Sequence, residues 1–288
     1  MLATLNFVTA EPDGAVRFVL DNGWTGTGQR PIEVELQDWR KTADSLSLDH
    51  EGFVIDRVVS GVTDYRDEDQ LRQLWVPAAR ETILRVTGGS WACPFAGPLA
   101  RFSEKRAEAF SSPVSAPARA MHSDLHGSFA FEQLAQQPAA DAAMEEIKAR
   151  IGDATPARWR IFNLWQAISP PPQDTGLALC ALPSVEADDV VDGLGYFADP
   201  LKRADEVLAR RDAPHQFDIS FFRPNPSQRW GYFSDMLPGE ALIFSTFDPQ
   251  GDSRKARVPH GAVDIPNAPA HAVARNSIEI RALVVFED

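Results

Sequence analysis

An α+β chain built round an antiparallel double sheet is the fold class this sequence predicts, and three observations carry it. Short runs rich in β-branched and aromatic residues follow one another through the last third, from "FDISFFRP" to "SIEIRALVVFED". Clusters of Pro, Gly, Asn and Asp separate them, the spacing expected of a sandwich or barrel. Helical periodicity is confined to the first and middle thirds, so strands and helices mix first and strands alone follow.

Taken in order, "LNFVTA", "AVRFVL" and "IEVELQDW" read as strands, with turns at "EPDG" and "DNGWTGTGQRP". "GFVIDRVVS" is a further strand. "DEDQLRQLWVPAARETILRVTG" has a helical period, an acidic start and a Gly stop, and Pro77 is placed to kink or split it. "SSPVSAPARA" is linker-like. "FEQLAQQPAADAAMEEIKARIG" reads as helix, broken near Pro138. "RWRIFNLWQAI" is a buried strand, "PPPQDTG" a turn, "LALCAL" a buried strand and "SVEADDVVD" the opening of a helical turn. "RWGYFS", "EALIFSTFD" and "ARVPHGAVDI" complete the β-rich end.

The chain has 288 residues, 44% hydrophobic and 24% charged, which suits an ordinary globular protein of one large or two small domains. Its 41 acidic and 28 basic residues give a net charge of −13, so nucleic acid and anionic membrane surfaces are not expected partners. "MLATLNFVTAEPDGAVRF" has no basic segment followed by a long apolar run, and no apolar stretch is long enough to span a bilayer. Cys93 and Cys180 lie far apart and are expected to be buried free thiols of a cytoplasmic protein.

The chemistry is concentrated in "ARAMHSDLHGS". In extended backbone the two ends of His-x-Asp point the same way, so His122 and Asp124 can aim an imidazole and a carboxylate at one point. A distal His would complete a two-His-one-carboxylate face, which leaves open metal positions for Fe(II), O2 and a chelating cosubstrate. The alternative is a turn with solvated side chains. His260, in "RVPHGAV", supplies the distal His, while His126 is a competitor ranked below the pair. Beyond it, Arg275, Ser277, Glu279 and Arg281 share one face of an extended strand, and Ile278, Ile280, Ala282 and Val284 share the core face. Two arginines and a serine suit a cavity that receives a dicarboxylate. The alternative for Arg275 is a surface ion pair with Glu279 or Asp264. His215 and His271 read as structural, His50 as exposed, and Arg101 and Arg106 as unordered contacts for an acidic substrate.

The order His-x-Asp, His, Arg-x-Ser, with "RIFNLWQAISPPPQDTGLALCALPSV", "QRWGYFSDMLPGEALIFSTFDPQ", "PHGAV" and "RNSIEIRALVVF", resembles the gibberellin-desaturase-like hydroxylase/desaturase family of Fe(II)/2-oxoglutarate-dependent oxygenases. That family includes fungal biosynthetic enzymes. The resemblance runs from about residue 118 to the C-terminus.

It implies a double-stranded β-helix, or jelly-roll, core with flanking helices: one domain over 1–288 with an N-terminal α/β extension over about 1–117. It implies His122, Asp124 and His260 as iron ligands and Arg275, helped by Ser277, as the clamp on the distal carboxylate of 2-oxoglutarate. Arg281 matches the second arginine of the motif and competes for that role or meets a substrate acid. The implied cofactors are Fe(II), 2-oxoglutarate as cosubstrate and O2, and the implied reaction is hydroxylation or desaturation of a small organic molecule. Asn163, Trp165, Trp230 and Tyr232 are candidates for the pocket wall. The family pattern carries Trp-Arg-Pro where this chain has Trp165, Gln166 and Ala167, and a Lys near Ser245 and Thr246. Both changes remove positive charge and are expected to bear on the substrate. Two other readings stay open: a hydrolase or isomerase using the triad with zinc or manganese, and a non-catalytic jelly-roll binding protein. No oligomeric state is read from the sequence.

Overall fold

Strand periodicity is obeyed most closely where both faces of a strand are covered. A computed structural model describes residues 1–9, 16–20, 25–26, 29–102, 117–125, 140–151, 156–197, 216–251 and 256–287. The described strands are β1 (Leu2–Val8), β2 (Val16–Leu20), β3 (Thr25–Gly26), β4 (Gln29–Glu35), β5 (Gln37–Asp38), β6 (Phe53–Arg57), β7 (Trp91–Arg101), β8 (His122–Ser123), β9 (Trp159–Ala167), β10 (Thr175–Cys180), β11 (Val190–Phe197), β12 (Gln216–Phe222), β13 (Trp230–Tyr232), β14 (Glu240–Phe247), β15 (His260–Asp264) and β16 (Ser277–Val285). They form a nine-stranded sheet ordered β3-β2-β11-β12-β8-β15-β10-β13-β5 and a five-stranded sheet ordered β6-β14-β9-β16-β7. A separate hairpin pairs β1 with β4.

The two large sheets face each other. Leu177 and Leu179 of β10 pack against Trp165 and Ala167 of β9 and Leu242 and Phe244 of β14 in one cluster. Because side chains alternate, the residues between these turn outward. On the five-stranded sheet the outward set is Phe162, Leu164, Ile243, Ile278, Ile280, Ala282 and Val284. It is capped by Trp75, Ala79 and Ile83 of the helical segment that ends in Val76–Thr87. Fully burying an Ile side chain is worth about 1.5–3 kcal/mol, so the two isoleucines of β16 alone hold that helix firmly. On the nine-stranded sheet the outward set is Ala178, Cys180, Trp230 and Val263, covered by Leu5 and Phe7 of β1. This double cover explains why β9 reads as a continuous apolar run: every residue in it is buried.

The helical segment follows its sequence signals closely. Asp67 caps the first turn, its carboxylate accepting from the Asp69 and Gln70 amides. Residues 68–87 form one continuous helical run, and a π-turn over Leu71–Trp75 directly precedes Pro77, whose missing N–H interrupts the regular ladder there. Gly88 ends the helix in the left-handed conformation with φ 70°.

Several expectations need correction. β7, "WACPFAGPLAR", is not read as a strand from sequence because Pro94, Gly97 and Pro98 punctuate it. It lies at the edge of the five-stranded sheet, where a missing N–H is tolerated, and bulges opposite Glu279 and Arg281. Gly97 sits in that bulge with φ 108°, and a Cβ there would lie 2.8 Å from the Glu279 carbonyl oxygen. The strand expected to run through Trp39 ends earlier: β4 stops at Glu35, and a 3-10 turn begins at Trp39 behind the Asp38 cap. The helical turn expected in "SVEADDVVD" is only Ala187–Asp189, after which β11 begins. β2, β3 and β5 join the nine-stranded sheet, and β6 and β7 join the five-stranded one. The helix expected near Pro138 is described as Ala140–Ile151. Pro138 itself and most of the linker-like stretch lie outside the described residues.

Candidate metal centre and anion pocket

β8 is only His122–Ser123, but it is wedged between β12 and β15. Its register pairs His122 directly with His260, so the two imidazoles leave the same face side by side with centroids 4.4 Å apart. Each ring is anchored through Nδ1, at 2.7 Å from the Ala120 carbonyl for His122 and 3.0 Å from the Val258 carbonyl for His260. A carbonyl only accepts, so both rings carry a proton on Nδ1 and turn Nε2 toward the space between the sheets. Asp124 follows in the bend after β8. Its Oδ1 lies 3.7 Å from His122 Nε2 and its Oδ2 lies 3.7 Å from His260 Nε2.

The protonation states suit metal binding. Burial, with His260 next to it, pushes the His122 imidazole down to about 3, so it is neutral at pH 7. Burial raises Asp124, but Arg281, His260, His122 and the Asn163 hydrogen bond together outweigh it and hold the carboxyl well below the usual range. Among the described residues this is the one group of three His, Cys, Asp or Glu whose ligand atoms all lie within 4.8 Å of one another. Two imidazole Nε2 atoms and one carboxylate, converging from one side, suit Fe(II).

The facing sheet completes the surroundings. Asn163 Nδ2 donates to Asp124 Oδ2 at 2.5 Å, and Arg281 Nη2 to Oδ1 at 3.4 Å. Asn163 and Arg281 are cross-strand partners on β9 and β16. Arg257, fully buried, donates to the Leu125 carbonyl and the Ser220 hydroxyl, tying the bend that carries Asp124 to the segment that leads into His260. The sequence marks Arg257 only by its closeness to His260, and its role is not legible there.

Beside the two imidazoles lies a small, partly open cavity walled by Trp165, Leu177, Arg101, Glu279 and Arg275. Arg275 precedes β16 and is only 3% exposed. Its amide donates to Asp174, its Nη1 to the Gly176 carbonyl, and its guanidinium lies over Trp165. Burial, then Arg101, lowers it to about 10, so it stays charged at pH 7. The ion-pair alternatives are closed: Arg101 takes Glu279 at 2.8 Å, and Arg119 takes Asp264 at 3.0 Å. Arg275 Nε and the fully buried Ser277 hydroxyl have no hydrogen-bond partner. A buried cation with unpaired donors is costly unless an anion meets it. The cavity therefore has the chemistry of an anion socket next to a metal face.

The other sequence candidates divide. Trp165 lines the cavity, whereas Asn163 touches Asp124. Trp230 and Tyr232 do not line it. Trp230 pairs with Cys180, which puts it on the outward face of the nine-stranded sheet, packed on Phe7 with its indole donating to Gln228. Tyr232 packs against the same outer cluster. Gln166 also points outward, accepting from the Trp75 indole and donating to Tyr65, so the Trp-Gln-Ala departure is absorbed by packing under the helix and not by a ligand. His50 is exposed and bonded to Glu51, and His271 is exposed. His126, His215 and Arg106 lie outside the described residues.

A family described as oxidoreductase/YMDC permease-like domain matches residues 5–285. No helix among the described residues is long and apolar enough to cross a membrane. The chain is 36% identical to the hydroxylase/desaturase asaB of Aspergillus flavus over 132 residues, which take in 46% of this chain and 57% of that protein. It is 28% identical to the hydroxylase/desaturase efuI of Hormonema carpetanum over 99% of this chain and 95% of that one. A solved structure of the iron and alpha-ketoglutarate-dependent endoperoxidase NvfI superposes with a TM-score of 0.75 at 21% identity, covering 100% of this chain and 98% of the other.

Proposed function

The chain belongs to the oxidoreductase/YMDC permease-like domain family, and from that premise we propose that it is an Fe(II)/2-oxoglutarate-dependent oxygenase that hydroxylates or desaturates a small organic molecule. One observation carries the reading: the buried Arg275, with no ion pair among the described residues and its Nε unbonded, shares a cavity with the two imidazoles of the His122, Asp124 and His260 triad. A hydrolase or isomerase using the same triad would leave Arg275 and Ser277 with no dicarboxylate to hold. The two facing sheets are, on this reading, a double-stranded β-helix into which residues 1–117 are woven, one domain over 1–288. We also propose a cytoplasmic location, supported by the buried free thiols Cys93 and Cys180.

His122, Asp124 and His260 would hold Fe(II), and Arg275 with Ser277 would hold the far carboxylate of 2-oxoglutarate. When bound, the ferrous ion supplies the redox chemistry that couples O2 and the oxidative decarboxylation of 2-oxoglutarate to attack on an unactivated C–H bond. The chain's own residues bind, orient and exclude water. The Nδ1 anchors aim both Nε2 atoms at the site, and Arg281 keeps Asp124 ionised. Trp165, Leu177 and Phe244, whose ring lies 4.7 Å from His260, wall the site with apolar surface.

The test is an anaerobic titration of the protein with Fe(II) and then 2-oxoglutarate, followed by the weak visible charge-transfer band of the chelate. A band that saturates at one equivalent, and succinate release once O2 is admitted, is expected. Tight Fe(II) binding with neither band nor succinate would overturn the reading.

A further inference from the structure

Asn163 and Arg281 are read from sequence as pocket wall and cosubstrate contact, but their geometry gives them a different job. We propose that Asn163, backed by Arg281, is a positioning residue for the Asp124 carboxylate, and that neither residue binds 2-oxoglutarate. The proposal rests on the reading of the triad as an Fe(II) site.

Asp124 sits in a bend after a two-residue strand, so its own backbone constrains it little. Its two oxygens are separately claimed: Oδ2 by Asn163 at 2.5 Å and Oδ1 by Arg281 at 3.4 Å. Both donors come from the five-stranded sheet, whereas both histidines come from the nine-stranded one. The carboxylate is thus held from behind by one sheet while it faces the imidazoles of the other. The amide orientation follows from chemistry, since an ionised carboxylate accepts only and the Asn163 NH2 must point at it. Asn163 is 3% exposed, which makes the bond a buried, charge-assisted one. Its partner across the strands, Arg281, is committed to Asp124 and is not among the residues that wall the Arg275 cavity. Outer-sphere hydrogen bonds of this type fix a ligand's orientation, and their loss typically costs about 10- to 100-fold in metal affinity.

The experiment titrates metal-free protein with Co(II), a redox-stable probe with visible d–d bands, and then titrates Fe(II)-loaded protein with 2-oxoglutarate. Asn163→Leu removes the donor at nearly constant volume, and Asn163→Ser provides a second variant if the first folds poorly. Asn163→Leu is expected to weaken Co(II) by about 10- to 100-fold and to change d–d intensity, as a carboxylate free to swing alters coordination. The metal-free variant is expected to melt somewhat lower, because a buried carboxylate loses a donor, and the Co(II) spectrum separates the two roles: a residue with only a structural role would lower the melting temperature without moving that spectrum. Arg281→Met should leave 2-oxoglutarate affinity within threefold. Loss of 2-oxoglutarate binding in Arg281→Met with Co(II) affinity intact would make Arg281 the clamp and overturn the proposal. So would Co(II) binding by Asn163→Leu at parental affinity and spectrum. If the parent protein itself binds no Co(II), the metal-site reading fails instead, and the two failures are told apart.

Discussion

Replacing Arg275 with Met should, on the proposed function, separate cosubstrate binding from metal binding and from folding. The substitution keeps most of the side-chain length and removes only the charge and its donors. In the parent, Arg275 is 3% exposed, makes no ion pair among the described residues, and leaves Nε and the neighbouring Ser277 hydroxyl without a hydrogen-bond partner. An incoming carboxylate would find a partner already stripped of water. Two unit charges about 4 Å apart at an effective dielectric near 20 attract by about 4 kcal/mol, and truncating one member of a buried charged pair costs about 2–5 kcal/mol. At about 1.4 kcal/mol per factor of ten, Arg275→Met should weaken 2-oxoglutarate by roughly 30- to 4000-fold. Fe(II) affinity should change by less than about threefold, since Arg275 touches none of the three metal-facing residues. Stability should move the other way from most buried substitutions, which typically cost about 1 kcal/mol. The variant loses the Gly176 bond and the Trp165 contact but also an uncompensated buried charge, so the metal-free protein should melt no lower than the parent. The assay is the charge-transfer titration with parallel thermal melts. A variant that binds 2-oxoglutarate within threefold of the parent would refute the reasoning, and so would a fall in Fe(II) affinity that matches the fall in 2-oxoglutarate affinity.

Three further outcomes are expected. His260→Ala should abolish stoichiometric Fe(II) binding, measured by equilibrium dialysis, while circular dichroism stays that of the parent. Gln166→Leu strands the buried Trp75 indole N–H and should cost about 1–3 kcal/mol in denaturant melts, with Fe(II) and 2-oxoglutarate affinities unchanged because the side chain points away from the cavity. His122 is held near 3 in the folded chain, against an ordinary value of about 6.5, so below that value the unfolded chain takes up the proton first. Its contribution to stability is therefore present above about 6.5 and is lost as pH falls toward 3; Asp124, whose carboxyl is also held low, acts in the same direction. Denaturation midpoints of the EDTA-treated protein at pH 7, 5.5 and 4.5 should fall in that order, and a flat profile would contradict the burial of His122.

The sequence by itself determined the features that depend on local spacing. The period of two in "RNSIEIRALVVF" separates Ile278, Ile280, Ala282 and Val284 from Arg275, Ser277, Glu279 and Arg281, and the structure puts the first set under the helix and the second between the sheets. His-x-Asp and a distant His are likewise visible as a pattern, since a strand sends alternate side chains one way. Tertiary structure decided everything that depends on which strand lies beside which. Pairing β13 with β10 sends Trp230 outward, and the inward face of β9 carries Trp165 but not Gln166. Arg275 and Arg281 look equivalent along one strand face. Arg281 meets Asp124 only because β16 and β8 come from opposite sheets, and Arg275 is left facing the cavity because Arg101, from an edge strand the sequence hides behind two prolines, takes Glu279 first. Pairing across sheets joins residues more than a hundred positions apart, and no local periodicity encodes that choice; it follows from which faces bury the most apolar surface together.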